Sequence, residues 1–274
     1  MKQFLCILIT AVTLLFSVHA NSQSLLNPVS ADAWSGGGSS VTEKNVFSVF
    51  NNPSITAETK QFQLGLFSEQ RFNETKLTTA GIALVIPTKW IHIGLGFSHF
   101  GYTLFNQQKC GITISKKLSK QFSAGVTFSF LGTFVSEQPY TGNIIGELGL
   151  FYKYSAKLHF GIFILNPAQN KYSVSGNEKI PTLARLGIEY SISDKLRLIL
   201  ETEQMLNADL VYRGGIKYQI HELFLVSVGA ANNPVYLTFG CGIKLKQFKI
   251  NYAAAIHEVL GYSPHLDLIF SAEK

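Results

Sequence analysis

From Gln61 to near the C-terminus, apolar residues recur at every second position, and this period-two pattern restricts the fold more than any other feature of the chain. Successive side chains of a strand point to opposite faces, so such alternation means strands with one apolar and one mixed face. Ile91, Ile93, Leu95 and Phe97 are interleaved with His92, Gly94, Gly96 and Ser98. Phe122, Ala124, Val126, Phe128 and Phe130 enclose Ser123, Gly125, Thr127 and Ser129 in the same way. Leu196, Leu198 and Leu200 alternate with Lys195, Arg197, Ile199 and Glu201, and Phe248, Ile250, Tyr252 and Ala254 with Lys249, Asn251 and Ala253. About fourteen such runs can be counted, at 61–70, 77–87, 90–100, 110–118, 121–132, 143–154, 157–165, 182–191, 195–204, 210–219, 222–230, 234–245, 247–256 and 264–271.

The connections between runs alternate in length. Short turns are expected at 87–90, 117–120, 154–157, 191–194, 218–221 and 244–247, and longer loops at 101–109, 133–142 and 166–181. Short turns on one side, long loops on the other and an even strand number describe an all-β, closed antiparallel transmembrane barrel of about fourteen strands. Charged residues make up only 15% of the chain and mean hydropathy is +0.18, where a soluble domain carries roughly 25% charge. Beyond the first 20 residues no uninterrupted apolar run is long enough for a membrane helix, which excludes a helical bundle. A sheet facing lipid has to close, because unpaired backbone groups in hydrocarbon cost several kcal/mol each. Trp90, Tyr102, Tyr154, Tyr190, Tyr218 and Tyr262 near strand ends fit aromatic girdles. A secreted soluble β-sandwich binding module is the alternative fold.

Residues 1–20 read as a cleaved signal peptide, with Lys2, an apolar run from Phe4 to Val18 and Val18-His19-Ala20 at the cleavage site. Export would take the mature chain to the bacterial outer membrane. Residues 21–59 do not alternate; Ser40-Val41-Thr42-Glu43 has capping-box spacing and predicts a helix to about Phe50, ended by Asn51-Asn52-Pro53. This segment is expected to plug the barrel formed by 60–274. Glycines on mixed faces, at 94, 96, 125, 149, 187, 215, 229, 240 and 242, leave room for a plug or a ligand.

The stretch Ala33-Trp34-Ser35-Gly36-Gly37-Gly38-Ser39-Ser40-Val41, followed by Val46-Phe47-Ser48-Val49-Phe50-Asn51-Asn52-Pro53-Ser54, resembles the opening of the PorV/PorQ group of Bacteroidetes outer-membrane proteins, a branch of the FadL-type barrels. Ser54 stands where that group usually has Ala. The resemblance implies a fourteen-stranded barrel with an N-terminal plug, its motif being Gly36, Gly37, Gly38, Asn51, Asn52 and Pro53. It also implies either passage of small hydrophobic molecules or a part in type IX secretion, with hydrophobic molecules or secretion-system proteins as partners beside outer-membrane lipid.

Mixed-face charges at Glu147, Lys153, Arg185, Glu189, Arg197, Glu201, Arg213 and Lys217 are expected to form a polar network in the lumen. They either fill and rigidify it or offer a path or docking surface to the plug through Asp32, Glu43 or Lys44. The net charge of +6 comes from basic residues scattered along the sequence without a dense run, so no nucleic-acid partner is expected. His265 and Asp267 share a face and would need a serine from a neighbouring strand to form a triad, which keeps a lipid-acting barrel enzyme as the alternative to a non-enzymatic protein. Ser98 and His99 face opposite sides. No metal-ligand spacing or phosphate loop is present and no cofactor is expected. Cys110 and Cys241 read as two separate buried thiols.

Overall fold

The computed structural model describes residues 24–171 and 180–273, so the leader read at 1–20 lies outside the described residues. Fourteen antiparallel strands form one closed barrel. They are β1 (Gln63–Gln70), β2 (Thr78–Pro87), β3 (His92–Tyr102), β4 (Phe105–Lys117), β5 (Phe122–Val135), β6 (Thr141–Lys153), β7 (Leu158–Leu165), β8 (Leu183–Ser191), β9 (Leu196–Met205), β10 (Val211–His221), β11 (Phe224–Asn232), β12 (Val235–Leu245), β13 (Phe248–His257) and β14 (Gly261–Ser271). Each strand bonds to its sequence neighbours, and β14 returns to β1 with Leu66 opposite Leu268 and Phe67 opposite Asp267. No edge is left, which is the requirement for a sheet in hydrocarbon.

The alternation sorts side chains as the sequence predicts. On β5, Ser123, Gly125, Thr127 and Ser129 are buried inside, while Phe128 is 62% exposed on the outer wall. Ile112, Leu66, Leu200 and Leu237 continue that apolar outer face around the barrel. Cys110 and Cys241 are unpaired, as expected, but they lie exposed on the outer wall and not in the core. Their neighbours in sequence take the inward positions, Lys109 and Gly111 in one case and Gly240 and Gly242 in the other.

Six short turns lie on the side where the barrel strands begin and end; five overlap the expected positions, while 218–221 is still strand β10 and its turn follows at 222–223. Three share one device: Ser119, Ser155 and Ser193 each use the side-chain oxygen to accept backbone N–H bonds from two residues further along, at 3.0–3.3 Å. On the opposite side, the expected loop 101–109 is instead a tight hairpin. Gly101 and Tyr102 pair with Asn106 and Phe105, so only Thr103 and Leu104 connect β3 to β4. Polar residues had suggested a loop there, but Gln107 and Lys109 are inward-facing strand residues buried in the lumen. The expected loop 133–142 shrinks to 136–140, and the connection 166–182 is long.

Residues 25–58 lie inside the barrel and are almost wholly buried. The helix expected from Ser40 does not form as drawn. Glu43 turns outward to a wall lysine and the Ser40 N–H is taken by Glu201, so both ends of the capping box are used elsewhere. The helical pieces are Ala31–Ser35 and Ser48–Asn51, with a tighter 3-10 turn at Pro53–Glu58. Ser30 caps the first by accepting from Ala33 N–H at 3.1 Å, and Asn52 ends the second as the Asn51-Asn52-Pro53 signal predicts.

Candidate functional site

The inner segment fits a furrow made by wall glycines. Of the nine mixed-face glycines named from sequence, eight face the segment: Gly94 meets Val49, Gly96 Phe50, Gly125 Pro53, Gly149 Asn52, Gly187 Val41, Gly215 Gly36, Gly229 Gly37, and Gly240 Ser35. A Cβ on Gly229 would lie 2.2 Å from the backbone nitrogen of Gly37, and one on Gly125 2.5 Å from the carbonyl carbon of Pro53. The ninth, Gly242, faces Asn251 of the wall, while Gly65 and Gly161 also receive the segment. Gly37 and Gly38 both have φ of +76°, a backbone region glycine adopts without strain. Gly37 N–H donates to Thr238 Oγ1 at 3.0 Å, and the Tyr236 hydroxyl donates to the Gly37 carbonyl at 3.2 Å.

The asparagines lock the segment to itself and to the wall. Asn51 exchanges two hydrogen bonds with the backbone of Val29, at 2.8 and 2.9 Å. Asn52 donates to the carbonyls of Val41 and Leu150 and accepts from the Ser54 hydroxyl at 2.7 Å. The serine at position 54 therefore has a partner that an alanine would lack.

The eight charged residues named from sequence all carry inward-facing ion pairs, in arrangements more divided than one ladder. Lys217, with no exposed surface, donates to Asp32 Oδ1 at 2.8 Å, to the Asp32 carbonyl at 2.7 Å and to Glu43 at 2.5 Å. Lys249 adds a second contact to Asp32. Glu189 gathers Lys44 at 3.1 Å, His159 at 3.1 Å and Arg197 at 3.4 Å. Arg185 bridges Glu203 at 2.5 Å to the Leu26 carbonyl at 2.6 Å, while Arg213 reaches Glu203 at 3.0 Å and Glu201 at 3.5 Å. Glu201 also accepts the N–H groups of Ser40 and Val41. Glu147 and Lys153 do not meet: Glu147 pairs with Lys109 at 2.7 Å, and Lys153 with Glu58.

Sequence reasoning passed over Lys109, Glu203, Lys249, His159 and Glu58. Glu203 has the parity of Glu201 on the same strand, a signal available in the sequence, whereas Lys109 fell within a misread loop. Glu58 lies where the segment leaves the lumen, held by Ser123, Lys153 and Lys117. Burial alone would raise its carboxyl, but the hydrogen bonds from Lys153 and Ser123 outweigh that and hold it below the ordinary glutamate value.

The triad geometry is not assembled. His265 stacks on Trp34 with ring centroids 4.5 Å apart, and across the strands it faces Glu69 and Ala253 rather than a serine. Asp267 accepts from Asn251 at 2.6 Å and from Asp32 N–H at 3.3 Å.

Three apolar regions interrupt this polar interior, one of them Trp34 and Ala31 against Ala231, Tyr236, Ala253 and Ala255. At the end away from the termini, Leu131, Ile145, Phe163, Leu165 and Leu183 of the wall pack with Val41, with Leu26 of the segment and with Ile180 of the long loop. Nearer β1, Val46, Phe47, Val49 and Phe50 pack on Phe67, Ala83, Val85 and Ile269. Asn166 holds the base of the long loop above the first cluster, donating to the Ile180 carbonyl at 2.7 Å and accepting from Asn170 N–H at 2.9 Å.

No protein-family profile matches the sequence, and no curated protein sequence matches it. Solved structures do match. The CymD monoaromatic hydrocarbon channel superposes with a TM-score of 0.74 at 13% identity, over 92% of this chain and 99% of that one. The toluene transporter TodX of Pseudomonas putida gives 0.68 at 11% identity over 91% and 100%. A FadL homologue of Pseudomonas aeruginosa gives 0.62 at 11% identity over 89% and 98%. The chain has the fold of the FadL-type barrels.

Proposed function

We propose that this chain is a non-enzymatic barrel of the bacterial outer membrane, exported by a cleaved leader, that passes small hydrophobic molecules. The observation that carries the reading is the cluster of inward-facing apolar side chains at the end of the lumen away from the termini. Wall residues from β5 to β8 turn Leu131, Ile145, Phe163, Leu165 and Leu183 inward at one end, where water alone would favour polar lining. The structures it resembles include a monoaromatic hydrocarbon channel and toluene transporters, which supports a small apolar substrate. The closed outer wall of leucine, isoleucine and phenylalanine supports residence in lipid.

The test is saturable binding of labelled toluene and of a fluorescent fatty acid to the full chain in lipid nanodiscs. Binding above that of empty discs is expected, weakened about tenfold or more in Phe163→Asp, because a buried aromatic contact contributes roughly 1.5–3 kcal/mol. Discs that bind neither ligand would overturn passage. The second reading, a PorV/PorQ-like component of type IX secretion, is favoured by how completely the inner segment fills the lumen. It predicts capture of a secretion-system protein by a chain that binds no apolar ligand.

A further inference from the structure

The excess positive charge of +6 is not distributed evenly over the molecule. Five of the six turns on the termini side carry an exposed lysine: Lys89, Lys120, Lys157, Lys195 and Lys246. Lys116, Lys117 and Lys244 add to them at the adjoining strand ends, against the exposed acids Asp194, Glu222 and Glu273. At the opposite rim, among the described residues, exposed Lys76 and Lys171 stand against Glu74, Glu137, Asp209 and Glu258. The bases buried in the lumen are matched by carboxylates, as Lys217, Lys109, Arg185 and Arg213 illustrate. None of the five turn lysines ion-pairs with a carboxylate among the described residues.

Each of these lysines has an exposed apolar residue in the same turn or at the adjoining strand end. Trp90 is 72% exposed with the Lys89 ammonium 5.5 Å from its ring, and Tyr154, Leu118, Ile192 and Leu245 occupy the equivalent places. The pairs recur around most of the perimeter. A protein or nucleic acid docking from one direction would meet only part of such a collar, whereas a lipid leaflet surrounds all of it. Long basic side chains lay their stems on apolar surface and raise the charge to the headgroup level, where anionic lipids are attracted.

We infer that the termini-side rim binds the headgroups of anionic phospholipids, with their acyl chains on the apolar wall, and that it sets the barrel in a leaflet containing them. This rests on the membrane reading above. The test is native mass spectrometry of the full chain in neutral detergent with equimolar phosphatidylglycerol and phosphatidylethanolamine. Phosphatidylglycerol adducts are expected to exceed the other by about threefold or more and to approach parity between about 0.05 and 0.5 M salt. Replacing all five turn lysines by Ser should bring parity at low salt. Replacing them by Arg, or changing only Lys76→Ser and Lys171→Ser, should leave the preference intact.

Parity in the unaltered chain, a preference indifferent to salt, or equal loss from the far-rim pair would overturn the proposal. So would abolition by inorganic phosphate beyond an equal ionic strength of chloride, which would mark a phosphate site, or parity accompanied by polyglutamate binding, which would mark an acidic peptide partner. Gel migration of unheated samples separates the two layers of inference. A heat-modifiable barrel at parity fails this proposal alone, and a chain soluble without detergent and unmodified by heat fails the membrane reading with it.

Discussion

Lys217 is the residue on which the inner segment most depends. It is completely buried and divides its ammonium between Asp32 and Glu43, two carboxylates from either side of the glycine turn. Removing Lys217 leaves Asp32 with Lys249 alone and Glu43 without its ion-pair partner, and breaking a buried ion group costs about 3–5 kcal/mol. Lys217→Met should therefore lower the temperature at which the folded gel band disappears by more than any substitution of a rim lysine. Gly229→Val is expected to destabilise by about 1–3 kcal/mol through overpacking against Gly37, measured in the same way. A fully stable Gly229→Val barrel would mean that the segment is not seated on that wall. Both sites were legible in the sequence for one reason: parity on a strand fixes the face. Parity does not identify partners, so the carboxylate that holds Lys153, Glu58, 95 residues away in sequence, was not among the residues named.

At the scale of elements, local signals succeeded where the backbone's own hydrogen bonds decide and failed where tertiary contacts compete for them. The serine turns and the Asn-Asn-Pro stop are of the first kind. The capping box at Ser40 is of the second, since both its members are claimed by wall charges. The exit of the inner segment through Glu58 carries a pH dependence. Because the folded-state carboxyl lies below its ordinary value, its stabilisation is present above the usual glutamate range and is lost as pH falls through the lowered value. Acidification from neutrality to below that range should expose the stretch around Glu58 to protease in the folded barrel. Glu58→Gln should be cleaved equally at both pH values.

For the whole molecule, strand number, order and closure followed from period and turn spacing, whereas the gathering of lysines at one rim did not. The turn lysines recur only every few tens of positions and look scattered in the sequence, yet every second connection of an up-and-down barrel returns to the same side. The outer wall makes a further prediction. Cys110 and Cys241 face outward among apolar neighbours, where surrounding lipid keeps a charged reagent away. A charged, water-soluble maleimide should leave both unlabelled in vesicles and label both after denaturation, read by peptide mass; rapid labelling in vesicles would place that wall in water. The glycine furrow finally bears on assembly. A peptide seated on the inner face of strands from β3 to β12 would have to thread past all of them to enter a finished cylinder. It acts as a mandrel around which the staves are set, so it must be in place before the last stave meets the first.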